Sequence, residues 1–130
     1  MKLEHRELLD ELRPARRVLV VDDHASFRRC ARALLTAEGF EVAGEAEDGA
    51  SALALAAELR PQFVLLDVQL PDLDGFAVAS RLLALDPALK IVLISSRDRS
   101  AYGPLIDASG AAGFVSKGEL SGDALDRLLA

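Results

Sequence analysis

The sequence predicts an α/β fold, a parallel sheet with crossover helices on its faces, on three observations. Short apolar runs alternate with helical patterns from residue 18 onward. Most of the runs are uninterrupted by polar residues, as strands buried on both faces should be. Each strong run also ends in a polar residue: Asp22 and Asp23, Asp67, Ser95 and Lys117.

The strands are expected at residues 18–21, 63–66, 91–94 and 114–115, with 41–46 as a weaker fifth. Phe27, Cys30, Ala31, Leu34 and Leu35 recur at spacings of three and four, which predicts a first helix stopped by Gly39. Residues 51–59 and 75–85 form the second and third helices, each ending before a proline, Pro61 and Pro87. Gly103 and Pro104 interrupt the fourth crossover, so a short or displaced helix is expected there. Ser121 can cap a last helix carrying Leu125, Leu128 and Leu129, with Asp123 in its first turn. Five βα units result.

A chain of 130 residues suits one domain, and 51% apolar with 28% charged residues supplies both a core and a solvated surface. Leu3, Leu8, Leu9 and Leu12 give residues 1–13 an amphipathic helical pattern, so 1–16 is read as an extension ahead of a domain at 17–130. The net charge of −6 works against phosphate-backbone contacts, so direct nucleic-acid binding is not expected. The basic residues at 13–17 are read as a solvated approach to the first strand, and Cys30, the one cysteine, as a small apolar residue on a helix face. No signal sequence or membrane span is legible, and a cytoplasmic location is expected.

In open α/β sheets ligands bind outside the carboxyl ends of the strands, so the polar residues there should share one cleft. Three carboxylates would repel one another unless a cation sat among them, and hard oxygen ligands suit Mg2+. Such a metal could bridge a carboxylate and a phosphoryl oxygen, which makes Asp67 a candidate nucleophile. Lys117 supplies a compact positive charge and Ser95 a hydroxyl donor for phosphoryl oxygens. Each residue alone has an ordinary explanation as a cap, turn or loop. The set, each at a strand end, does not.

These residues resemble the response-regulator receiver family of two-component signalling over about residues 17–129. VLVVDD at 18–23 resembles the family's first strand and acidic pair, FVLLDVQLPDLDG at 63–75 its phosphoacceptor segment, and GFVSK at 113–117 its lysine segment. The resemblance implies a flavodoxin-like, doubly wound five-stranded parallel sheet of order 2-1-3-4-5 with helices on both faces. It implies Asp67 as phosphoacceptor, and Asp23 and Asp67 as direct Mg2+ ligands. Asp22 would act directly or through water, and the Gln69 backbone carbonyl would complete the protein ligands. Ser95 and Lys117 would hold the phosphoryl group.

Phe114 takes the switch-aromatic position, where many members have Tyr, and its lack of a hydroxyl removes one hydrogen bond from the active state. His24 is read as a surface residue at a helix start, and His5 has no partner to assign. Ser96 and the Gly103–Pro104 pair depart from the family pattern.

The implied partners are a histidine kinase or histidine phosphotransfer protein upstream and a protein reading the fourth and fifth βα units downstream, with no membrane. A homodimer and a DNA-binding output domain are both left open. The module is read as a switch and not an enzyme. Two alternatives are an aspartyl-phosphate phosphatase of haloacid-dehalogenase-like type and a non-phosphorylated pseudo-receiver. Against the first, Gln69 stands where such an enzyme needs a second acid.

Overall fold

The computed structural model describes residues 16–129. Five strands, β1 (Arg17–Val21), β2 (Glu41–Ala46), β3 (Phe63–Asp67), β4 (Lys90–Ser95) and β5 (Gly113–Ser116), alternate with five helices. These are α1 (Ala25–Ala37), α2 (Gly49–Leu59), α3 (Gly75–Leu85), α4 (Pro104–Ala108) and α5 (Gly122–Leu129). The strand order is β2-β1-β3-β4-β5 and every pairing is parallel, as expected of the doubly wound sheet.

The two-residue period of a strand divides the apolar runs between the two faces of the sheet. Leu19, Val21, Val64, Leu66, Ile91 and Leu93 pack with Ala52 of α2 and Val78, Ala79 and Leu82 of α3. Val18, Val20, Phe63, Leu65, Val92 and Ile94 pack with Ala31 and Leu35 of α1 and Leu125 of α5. Fully burying a side chain of this size stabilises the fold by about 1.5–3 kcal/mol before ordering costs, so the two layers hold the central strands firmly. All five residues of β3 are buried, Asp67 among them. The expected weaker strand at 41–46 is β2, an edge strand whose residues are mostly half-buried. Its pattern is faint because an edge strand needs less apolar surface.

Helix ends follow local chemistry. After α1, Gly39 adopts φ +90°, and the N–H groups of Glu38, Gly39 and Phe40 return to Leu34, Thr36 and Leu35. At the start of α2 the Asp48 carboxylate accepts the Ser51 N–H, while Asp72, from the loop after β3, accepts those of Gly49 and Ala50. Asp74 caps α3 through the Phe76 N–H, and Ser121 caps α5 through the Ala124 N–H. The fourth crossover is a 3-10 turn, Arg99–Ala101, followed by the five-residue α4 with Pro104 at its first position and no side-chain cap.

Two expectations need correction. Cys30 is exposed, because the buried stripe of α1 runs through Ala31 and Leu35 and leaves position 30 at its margin. Arg16 and Arg17 are engaged rather than merely solvated. Arg16 pairs with Asp126 at 2.6 Å and covers the Phe40 ring, and Arg17 donates to the Leu59 carbonyl. The helical pattern at 1–13 and His5 lie outside the described residues.

Candidate functional site

β1 and β3 are neighbours in register, with Val21 opposite Leu66, so Asp22 and Asp67 emerge side by side at the carboxyl edge. β4 follows, with Asp67 opposite Ile94, and Ser95 opposite Ser116 brings Lys117 to the same edge. The polar residues are gathered by register alone. Gly75 closes the floor of the loop after Asp67: its N–H donates to the Val68 carbonyl, and a Cβ there would lie 2.4 Å from the Asp67 carbonyl oxygen.

The Lys117 ammonium is the hub. It lies 3.1 Å from Asp67 Oδ2 and 2.5 Å from Asp22 Oδ2, with its Nζ 4.6 Å from the centroid of the Phe27 ring. Asp22 is fully buried, and its Oδ1 accepts the His24 N–H at 2.8 Å. Asp67 Oδ1 accepts the Gln69 N–H at 3.0 Å. Gln69 therefore reaches Asp67 through its amide, and its segment is fixed by a bridge to Asp74.

Protonation follows from these contacts. Burial pushes the Asp67 carboxyl above the ordinary 3.8, and the Asp22 charge adds to this against the Gln69 N–H and Lys117. For Asp22 burial acts in the same direction, but the hydrogen bonds of Lys117 and His24 outweigh it and the carboxyl is held low. Burial would lower Lys117, yet the two carboxylates hold its ammonium above the ordinary 10.5. Lys117 pairs with Asp22 and Asp67, and Asp23 adds a third carboxyl group to the cluster, so acidic oxygens outnumber the one ammonium beside them.

One oxygen each from Asp22, Asp23 and Asp67 and one nitrogen of His24 lie within 4.8 Å of one another. A donor set dominated by hard carboxylate oxygens, partly open to solvent through Asp23 and His24, suits a divalent cation such as Mg2+. His24 was not expected in this group. Its Nδ1 lies 3.0 Å from both Asp22 Oδ1 and Asp23 Oδ1, although the side chain is 64% exposed. Its position directly after the acidic pair was the available signal.

Ser95 is buried at the end of β4, where its Oγ accepts the Arg97 N–H at 3.1 Å and lies 2.6 Å from the Tyr102 hydroxyl. Phe114 packs its ring against Tyr102, centroids 5.8 Å apart, and joins the core layer under α3. Tyr102 escaped notice in the sequence. The chain's one tyrosine, a few residues past a strand end that carries a hydroxyl, was the only hint.

A doubly wound sheet with an acidic pair after β1, a buried aspartate ending β3, a hydroxyl ending β4 and a lysine after β5 defines a class of small α/β signalling domains. The response regulator receiver domain family matches residues 18–128, and the chain belongs to that family. It is 41% identical over 103 residues to the virulence-factors transcription regulator BvgA of Bordetella pertussis, covering 79% of this chain and 49% of BvgA. The chemotaxis protein CheY of Thermotoga maritima is 34% identical over 102 residues, covering 78% of this chain and 85% of that protein.

The receiver domain of the response regulator NarL from Mycobacterium tuberculosis superposes with a TM-score of 0.78 at 36% identity, covering 91% of this chain and 99% of that one. The chain spans about half the length of the transcription regulators it matches, 49% for BvgA. Among the described residues no helix is long and apolar enough to cross a membrane. The protein is thus a receiver domain of a response regulator in two-component signalling.

Proposed function

We propose that this receiver accepts a phosphoryl group on Asp67 from the phosphohistidine of a histidine kinase or phosphotransfer protein, in a Mg2+-dependent reaction that changes its affinity for a downstream protein. The observation that carries this reading is the contact of one ammonium, Lys117, with both the buried Asp67 and Asp22, beside a cluster in which acidic oxygens outnumber it.

A carboxylate oxygen of Asp67 attacks phosphorus in line. The new O–P bond forms as the N–P bond breaks, the bonding pair leaves with the imidazole nitrogen, and that nitrogen recovers a proton from solvent. Asp67 must be ionised to attack; although burial raises its carboxyl, Lys117 and the Gln69 N–H keep the anion available. Asp23 and Asp67, with Asp22 and the Gln69 carbonyl in support, would hold Mg2+, which when bound neutralises charge developing on the phosphoryl oxygens. Lys117 pairs with one phosphoryl oxygen and Ser95 donates to another.

The product adds roughly −1.5 to −2 charge beside Ser95 and Lys117, enough to bias the fourth and fifth βα units between two arrangements. A protein reading that face receives the signal, and Phe114, packed under Tyr102, moves with it. Residues 17–130 form the receiver unit, 1–16 an extension, and the module works in the cytoplasm. The exposed, uncharged Gln69 supports a switch over a phosphatase, whose acid it replaces.

Incubation with a labelled small-molecule phosphodonor and Mg2+ tests this reading. Wild type should take up label and Asp67→Asn should not, and chelation should abolish uptake. Equal labelling of Asp67→Asn, or sustained turnover of an aryl phosphate, overturns it.

A further inference from the structure

The contact between Ser95 Oγ and the Tyr102 hydroxyl, 2.6 Å, has no part in the chemistry above. Tyr102 follows the 3-10 turn in the least regular crossover, yet its ring is held between Phe76 of α3 and Phe114 of β5, centroids 5.7 and 5.8 Å away. Edge-on and tilted contacts with two aromatic rings from different elements orient the phenol. Its hydroxyl is thereby aimed at Ser95, which is 1% exposed.

A serine hydroxyl has one proton and two lone pairs. The Arg97 N–H fills one lone pair of Ser95 Oγ. Were Ser95 the donor to Tyr102, its single proton would be spent there and none would remain for a phosphoryl oxygen. With Tyr102 as donor, the second lone pair is filled and the Ser95 proton must point away from both partners.

We propose that Tyr102 is a positioning residue for the phosphoryl chemistry: its O–H donates to Ser95 Oγ and so commits the Ser95 proton to the phosphoryl oxygen on Asp67. The inference rests on Asp67 as the acceptor and goes beyond it by assigning a hydroxyl on the approach to α4. Phe114 has no hydroxyl to offer, and Tyr102 supplies one from a different segment. A chain of hydrogen bonds from Tyr102 through Ser95 to a phosphoryl oxygen also strengthens link by link, because each donor is polarised by the one before it. The state of Asp67 is thereby tied to the segment leading into α4.

The test measures initial rates of labelling by a small-molecule phosphodonor with Mg2+ in wild type, Tyr102→Phe, Ser95→Ala and the double variant. Tyr102→Phe keeps the ring and its packing but removes the donor, so its rate should fall by roughly three- to tenfold, the range of one hydrogen bond. In the Ser95→Ala background the same change should cost nothing further. A wild-type rate in Tyr102→Phe, or losses that multiply in the double variant, overturns the proposal.

A second readout does not depend on rate. Tyr102 is the one tyrosine of a chain without tryptophan, so intrinsic emission reports it alone. Beryllofluoride with Mg2+ should change that emission in wild type and leave it unchanged in Ser95→Ala and Asp67→Asn. Constant emission in wild type that takes up label contradicts the inference. If wild type takes up no label, the Asp67 reading fails and this inference with it; uptake with an indifferent Tyr102→Phe sinks this inference alone.

Discussion

The carboxyl rim of β1 and β3 and the crossover from β4 to β5 adjoin at Ser95, yet they are held by different means. At the rim, Asp22 and Asp67 are buried at the ends of strands packed from both faces, and each has its oxygens engaged by Lys117 or a backbone N–H. In the crossover, helix α4 has five residues, is preceded by Gly103 with φ +52° and no side-chain cap, and leaves Leu105 57% exposed. Positions that must hold a charged constellation sit where the fold is stiff. The positions proposed to change arrangement sit where few contacts oppose a change. Tyr102 joins the two, anchored in the crossover and bonded to the rim.

Substitutions can break this contrast, and the largest effect is expected under Asp67. The Cβ of Gly75→Ala would lie 2.4 Å from the Asp67 carbonyl oxygen and 2.6 Å from Val68 Cα, both backbone atoms. A loss of about 3 kcal/mol is expected in denaturant titration, because backbone under a packed sheet yields poorly. A Gly75→Ala protein as stable as wild type would show that the loop is not clamped.

Asp67→Asn should act in the opposite direction. A carboxyl raised in the folded state binds its proton more readily there than when unfolded. Its ionisation therefore costs stability as pH rises from the ordinary 3.8 through the folded value, and at neutral pH that cost is fully present. Removing the charge leaves Lys117 paired with Asp22. The melting midpoint should therefore be higher at pH 7 in Asp67→Asn than in wild type, and the gain should vanish in acid.

Smaller changes follow at the start of α2. Asp48→Ala removes the acceptor of the Ser51 N–H and should lower stability by about 1 kcal/mol, read from the melting midpoint. Asp72, held low by the Gly49 and Ala50 N–H groups, contributes stability above the ordinary 3.8 that is lost as pH falls through its folded value. Asp72→Asn should flatten that acid limb. Smallest of all, Leu105→Ala in the crossover should change stability by less than about 0.5 kcal/mol, since its side chain is already mostly in water. A loss of 2 kcal/mol there would erase the contrast.

The same difference explains what the sequence made legible. Asp22, Asp23, Asp67, Ser95 and Lys117 could be placed together because strand ends in a parallel sheet are fixed by register, and register follows from apolar runs. Pro61 and Pro87 marked the ends of α2 and α3 by local sterics. His24 and Tyr102 were not legible as members of the site, because their contacts depend on where a helix start and an irregular turn fall in space. The Gly103–Pro104 pair signalled irregularity without saying which residue it would deliver. Cys30 proved to be exposed at the margin of the α1 stripe, since a spacing of three and four does not separate the centre of a stripe from its margin.

Trapping the acyl phosphate tests the central claim most directly. After incubation of the full chain with Mg2+ and a phosphodonor, borohydride reduction converts a phosphorylated aspartate to homoserine, which peptide mass spectrometry can locate. The account predicts reduction at position 67 alone. Reduction at Asp72 or Asp74 instead, or a folded, Mg2+-loaded chain with none, would contradict it.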